Sequence, residues 1–323
     1  MLLPIGLLTI FGFSVGSLTY AYKFRGKSRW ENLTEYMRKG WPIFTPFNCL
    51  LYLFTQQRAQ KSIMNVADFP ELKPLQQNWQ VIRDEVINLY KGQHFEKTKQ
   101  EGAQSSYDLG FRTFFKYGWS KFYLTWYGHT HESAQKLCPK TVALVNSIPS
   151  INGAMFSLLP VGSQLTRHLD PVACSLRLHL GLMTPNDDSC YINVDGQKYS
   201  WRDGELFIFD ETFLHFAKND SEQYRLILMC DIERPMFFIG HIINFFYKGL
   251  MRMTVVPNMD GDSRGLVNKI FSFLSPTLKK TKTLKQTNPG LYKVVKYSVN
   301  FTLLGIVVLL LFGILKFIQW IFL

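Results

Sequence analysis

From Gly153 to Ile232 short apolar runs alternate with turn residues: AMFSLL, SLRLHLGLM, CYINV, QKYSW, ELFIF and RLILMCDI. Their length and their β-branched and aromatic content predict strands. Asp195-Gly196, between CYINV and QKYSW, predicts a two-residue type I′ hairpin. Many short strands without intervening helices predict an antiparallel barrel or jelly roll. Period two also sorts the side chains by face. In RLILMCDI, Arg225, Ile227 and Met229 share one face while Leu226, Leu228 and Cys230 share the other. In SLRLHLGL, Ser175, Arg177 and His179 lie opposite Leu176, Leu178 and Leu180.

Helical spacing appears upstream. Leu75, Trp79, Ile82, Val86, Leu89 and Tyr90 recur every three or four positions and predict a packing helix over 71–91. Gly92 to Ser106 reads as a loop, and Pro139 opens a short helix within 134–148. Residues 107–127 are crowded with aromatics, with Arg112, Lys116 and Lys121 among them. That run suits a buried strand pair, or an apolar wall for a lipid chain with cations for its phosphates. The run WPIFTPFNCLLYLFT at 41–55 is short and holds two prolines, which suits a re-entrant or interfacial segment, or buried core.

The two ends are the most apolar parts. Residues 1–22 carry no charge and are followed by Lys23, Arg25, Lys27 and Arg29. At about 1.5 Å per residue they are long enough to cross a hydrocarbon core, and the charge follows the apolar run where a signal peptide would place it first. Val299 to Leu315 is likewise uncharged, with Lys316 and Trp320 beyond it and Lys279, Lys280, Lys282, Lys285, Lys293 and Lys296 before it. The sequence therefore predicts two membrane-spanning helices with the middle of the chain in the cytoplasm. MFFIGHIINFFYKGLMRM, at 236–253, has one broad apolar face plus Lys248 and Arg252, and suits an interfacial helix or a core helix.

The chain has 323 residues, 47% of them hydrophobic and 15% aromatic, with 36 Lys and Arg against 24 Asp and Glu. A net charge of +12 favours an anionic partner. No zinc finger, RNP-like signature or arginine-rich groove motif is present, so nucleic acid is not that partner. Five cysteines without a CxxC pair do not make a disulfide framework.

The candidate chemistry lies in the strand region. His168 and Asp170 are separated by one residue, and His215 follows 47 residues after His168. Side chains two apart at a strand end point to one side, so His168 and Asp170 can share an ion with a histidine from a later strand. Two imidazoles and one carboxylate suit Fe(II) with positions left open. Taken singly, His168 also fits a surface histidine and His215 a core one. Arg225 among apolar neighbours calls for a carboxylate, from a bound molecule or from Glu222 or Glu233 in a salt bridge. The face bearing Ser175, Arg177 and His179 suits a pocket wall or a solvated surface. His129 and His131 fit a polar loop better than a second metal site.

The segment from about Cys138 to Pro235 resembles the aspartyl/asparaginyl β-hydroxylase family of Fe(II)- and 2-oxoglutarate-dependent oxygenases. The points of similarity are LCPKT at 137–141, SIP at 147–149, HLD at 168–170, LRLHLGL, FDETFLH at 209–215 and CDIERP at 230–235. The resemblance implies a double-stranded β-helix core at 134–235. Around it the chain divides into an anchor at 1–22, a helical and aromatic part at 23–133, an interfacial helix with basic linker at 236–298, and an anchor at 299–323. It further implies His168, Asp170 and His215 as metal ligands, and Arg225 with Ser157 for the distal carboxylate of 2-oxoglutarate. Arg177 falls near the proximal carboxylate, accompanied by His179. The implied reaction couples O2 and the decarboxylation of 2-oxoglutarate to hydroxylation of an unactivated C–H bond, with ascorbate as a stimulant. Within the family the similarity is greatest to the Gram-negative branch acting at C2 of a secondary acyl chain of lipid A. That branch implies an anionic lipid substrate and a multi-pass protein of the inner membrane. Another lipid such as an ornithine lipid, an Asp or Asn in a peptide, and a non-catalytic jelly roll are the alternatives.

Overall fold

The computed structural model describes residues 2–98, 100, 102–108, 110–111 and 118–298. It divides into two units, Met1–Lys269 and Ile270–Leu323. The first carries the ten strands found among the described residues. The second continues a helix that begins at Leu266 and ends at Thr287.

In chain order the helices are α1 (Leu2–Lys23), α2 (Leu33–Lys39), α3 (Thr45–Phe54), α4 (Lys73–Gln77), α5 (Trp79–Lys91), α6 (His94–Lys97), α7 (Glu132–Leu137), α8 (Pro139–Asn146), α9 (Phe238–Arg252) and α10 (Leu266–Thr287). Local chemistry sets several of their ends. The Asn32 side chain accepts from the Glu35 amide at 2.9 Å, while the Glu35 carboxylate accepts from the Glu31 amide at 3.1 Å, a reciprocal cap for α2. Prolines occupy the first turns of α3 and α8, where a missing N–H costs nothing. The helix expected over 71–91 is split at Asn78 into α4 and α5, and the expected loop after Gly92 contains the short α6.

The strands are β1 (Ser120–Trp126), β2 (His129–Thr130), β3 (Ile151–Leu159), β4 (Gln164–His168), β5 (Ser175–Met183), β6 (Cys190–Val194), β7 (Gln197–Ser200), β8 (Leu206–Phe209), β9 (His215–Asn219) and β10 (Arg225–Glu233). They form a six-stranded sheet, β2-β1-β3-β10-β5-β8, and a four-stranded sheet, β4-β9-β6-β7, with every pairing antiparallel. Asp195 and Gly196 both have positive φ, 52° and 83°, as the type I′ turn between β6 and β7 requires. Among the described residues of 107–127 the strand is β1, which pairs with β3 and β2. Positions 109 and 112–117 of that run lie outside the described residues.

The alternation read in β5 and β10 decides which core each side chain joins. Leu176, Leu178, Leu180, Leu226, Leu228 and Cys230 pack with Ile82, Val86 and Val142 of the helices on the outer face of the large sheet. Met155, Ile227, Met229, Phe207 and Phe209 meet Leu165, Ile192, Val194 and Ala217 of the small sheet. The fold is thus a jelly roll flanked by helices, and its inner face carries Arg177, His179 and Arg225.

No membrane span is found among the described residues. Residues 2–23 do form one helix, but no helix among the described residues is long and apolar enough to cross a membrane. The C-terminal half of α1 is also committed to the protein. Ser17 is buried, Tyr22 packs against Tyr36 with ring centroids 5.4 Å apart, and the following Arg25 pairs with Asp210 at 3.1 Å. Apolarity of residues 1–22 reflects in part a face turned to α3. The second expected span, 299–323, lies outside the described residues. The two-anchor architecture and the multi-pass inner-membrane placement are accordingly withdrawn.

Candidate metal centre and carboxylate pocket

His168 ends β4 and His215 begins β9, and the two residues are register partners across that ladder. Their ring centroids are 4.2 Å apart. Asp170 joins them because its amide donates to the Glu211 carbonyl at 2.8 Å, which folds the chain after β4 back over the turn before β9. Ligand atoms of His168, Asp170 and His215 all lie within 4.8 Å of one another.

The ring nitrogens are assigned by their partners. Nδ1 of His168 lies 2.8 Å from the Thr166 carbonyl, and Nδ1 of His215 lies 2.9 Å from the Phe213 carbonyl. A carbonyl only accepts, so each Nδ1 carries the proton and each Nε2 presents a lone pair. Desolvation holds both rings neutral, lowering His168 to about 4 and His215 to about 3. Asp170 is steered by Arg177, whose Nη2 donates to its Oδ2 at 2.9 Å, while Oδ1 stands 3.6 Å from His168 Nε2. Two neutral imidazoles with fixed tautomers and one anchored carboxylate fit a divalent iron ion, leaving further positions open.

Arg177 is the hub of the second layer. Its Nε donates to Glu211 at 2.7 Å and lies 3.2 Å from Asp231, its register partner on β10. Three carboxylates thus surround one guanidinium. Burial raises Glu211 to about 7 and Asp231 to about 6, against the pull of Arg177. Ser175 completes the group, donating to Glu211 at 2.7 Å.

Arg225 sits deeper on the same face of the large sheet and is treated differently. It is 1% exposed, and its Nη2 donates to Ser157 at 3.1 Å. Its guanidinium lies 4.4 Å from the Trp201 ring centroid and 5.1 Å from that of Trp119. Among the described residues no carboxylate pairs with it, and its Nε has no hydrogen-bond partner. Burial lowers its pKa to about 10. The salt bridge with Glu233 is not made, because the two residues stand at opposite ends of β10, and Glu233 pairs instead with Lys248 and His241. His179 lies alongside, its Nδ1 accepting from the Trp201 indole at 3.2 Å.

The structure therefore brings His168, Asp170 and His215 to one point, places Arg177 against Asp170, and puts Ser157 and His179 with Arg225 further in. Glu211, Asp231, Trp201 and the buried Asp210–Arg234 pair were not singled out from sequence. Asp231 was accessible to the same face argument, since it continues the row Arg225, Ile227, Met229. His131 is wholly buried, 4.0 Å from Asp262 and stacked on Tyr123, with burial lowering its pKa to about 4. Among the described residues the only group suited to a metal is the His168–Asp170–His215 one.

A jelly roll that brings two histidines from paired strand ends together with a nearby carboxylate has a group that could hold one metal ion. Comparison with known proteins gives the narrower class. The chain belongs to the aspartyl/asparaginyl β-hydroxylase family, whose description its residues 76–235 match. It is 31% identical over 193 residues to an ornithine lipid ester-linked acyl 2-hydroxylase of Rhizobium tropici, covering 59% of this chain and 67% of that protein. It is 32% identical over 169 residues to the human aspartyl/asparaginyl beta-hydroxylase, covering 51% of this chain but 21% of the human protein. Likeness to solved structures is weak, as with a predicted oxalate decarboxylase of Thermotoga maritima: 14% identity, TM-score 0.24, 36% of this chain and 80% of that one.

Proposed function

We propose that this protein is an Fe(II)- and 2-oxoglutarate-dependent hydroxylase acting at C2 of an acyl chain of an anionic lipid. The observation that carries the reading is Arg225, a buried guanidinium between two indoles with a serine hydroxyl beside it and no carboxylate partner among the described residues. A buried cation of this kind is costly unless a ligand supplies the anion, and a guanidinium fork matches a carboxylate. Iron held by His168, Asp170 and His215 would supply O2 activation coupled to decarboxylation of the co-substrate. The protein's own part is binding and orientation. Arg225 and Ser157 hold the distal carboxylate, Arg177 fixes Asp170, and the two Nδ1–H bonds fix the imidazoles.

For the substrate, lipid A hydroxylated on a secondary acyl chain is the reading that the sequence motifs favour. An ornithine lipid is the second, favoured by the Rhizobium relative. Asp170 weighs against a peptide substrate, since the peptide-modifying branch often lacks that carboxylate.

Mass spectrometry of lipids from cells with and without the gene tests this. A hydroxyl-sized mass gain on an acyl chain of lipid A, lost in His168→Ala, is the expected result. The same gain on an aminolipid would replace lipid A by ornithine lipid. Unchanged lipids, together with unchanged 2-oxoglutarate binding in Arg225→Gln, would overturn the reading.

A further inference from the structure

Three helices turn their more apolar side away from the protein. On α3 the buried side carries Thr45, Asn48 and Leu51. The Asn48 amide donates to the Pro171 carbonyl at 3.0 Å and its oxygen accepts from the Ala173 amide at 2.9 Å. Ile43, just before the helix, and Leu53 within it are 75% and 70% exposed. On α9 Asn244 is buried, and His241 and Lys248 reach back to Glu233, while Phe238 and Phe245 are 77% and 74% exposed, with Phe246 and Leu250 beside them. Helix α1 packs along α3 and likewise buries Ser17 while exposing Phe11.

These faces adjoin. The Phe237 amide donates to the Phe54 carbonyl at 2.7 Å and the Gln56 amide to the Pro235 carbonyl at 2.9 Å, which ties the end of α3 to the start of α9. None of α1, α3 and α9 contains an aspartate or glutamate, and their charged side chains are Lys23, Lys248 and Arg252. An apolar cleft of about 470 Å³ opens between α1 and α3 and reaches Asp210 and Phe213. It lies behind the turn that presents Glu211 to Arg177.

We propose that this three-helix face seats the protein on an anionic lipid surface, with the helices lying in the interface and none crossing it. Aromatic and aliphatic side chains with cations and no acids complement lipid tails and phosphates. Lys248 is already paired with Glu233, and a two-fold contact with a second copy would bring Lys23 and Arg252 together with their copies with no acid on these helices to pair with them. Docking itself stands on this surface; its purpose, delivery of an acyl chain to the metal centre, rests on the lipid-hydroxylase reading.

The test is flotation of the full chain with vesicles containing phosphatidylglycerol and with pure phosphatidylcholine vesicles. The wild type should float with the anionic vesicles, and a Phe238→Ser, Phe245→Ser double variant should partition at least about tenfold less. The variant should keep the wild-type melting temperature and 2-oxoglutarate binding, both read in solution. Wild-type protein left unbound overturns the proposal, as does a variant that floats equally well. A dimer dissolved by the same substitutions, without flotation, overturns it in favour of a second copy. Flotation with unmodified cellular lipids would leave docking intact and remove only the hydroxylase reading.

Discussion

Arg177 and Arg225 occupy one face of one sheet, both buried, and their surroundings are opposite. Arg177 is enclosed by Asp170, Glu211 and Asp231, whereas Arg225 meets a hydroxyl and two indoles. Removing a member of a buried ion cluster strands the remaining charges and typically costs about 3–5 kcal/mol. Arg177→Met should therefore lower the ligand-free melting temperature strongly. Arg225→Met removes a cation that has no anion to strand, so ligand-free stability should be unchanged or raised, while 2-oxoglutarate binding is lost. Thermal melts with and without 2-oxoglutarate check both variants. Equal destabilisation by the two would assign Arg225 a structural role and sink its role as a carboxylate receptor.

At the scale of elements, the β6–β7 hairpin does more than join two strands. Asp195 has φ of 52° and its Oδ1 accepts from the amides of Lys27 and Ser28 at 2.6 and 2.8 Å, fastening the segment after α1 to the small sheet. Asp195→Ala should cost about 1–3 kcal/mol by leaving those amides without their acceptor and by placing alanine in the left-handed region. Denaturant titration measures it, and faster proteolysis near residues 27–28 should accompany the loss. This turn, the strand alternation and the His168–Asp170 half of the metal group were legible because they depend on neighbours one or two positions apart, whereas His215, 47 residues on, was fixed as the third ligand only through the family resemblance of its FDETFLH motif. What lay beyond reading were pairings made by topology. The Arg177–Asp231 contact joins strands 54 residues apart in sequence, and Arg25 pairs with Asp210, 185 residues further along the chain. The apolar N-terminus misled for a related reason: hydropathy cannot distinguish a face turned to lipid from one turned to α3.

Across the whole unit Met1–Lys269, Asp210 is where the N-terminal segment, the end of β10 and the turn before β9 meet. Its carboxylate lies 2.7 Å from Arg234 and 3.1 Å from Arg25, and it accepts from the Thr212 amide at 2.9 Å. Burial alone would raise its pKa, but the two guanidinium groups and the hydrogen bonds override that and bring it to about 2. A carboxylate whose folded pKa is depressed stabilises the fold fully above its unfolded value, near 4, and loses that contribution as pH falls towards the folded value. The contribution is about 2–3 kcal/mol. Glu211 and Asp231, with raised values, shift stability in the opposite sense at higher pH, so the wild type alone would mix the effects. Comparison with Asp210→Asn separates them, because both proteins retain those two groups. The stability gap between wild type and Asp210→Asn should be constant from about pH 5 upward and narrow between about pH 4 and pH 2. Urea titrations across that range measure it. A gap that stays constant down to pH 2 would show that Asp210 is held by hydrogen bonds to a neutral carboxyl, and that the N-terminal segment is not clamped to the jelly roll by charge.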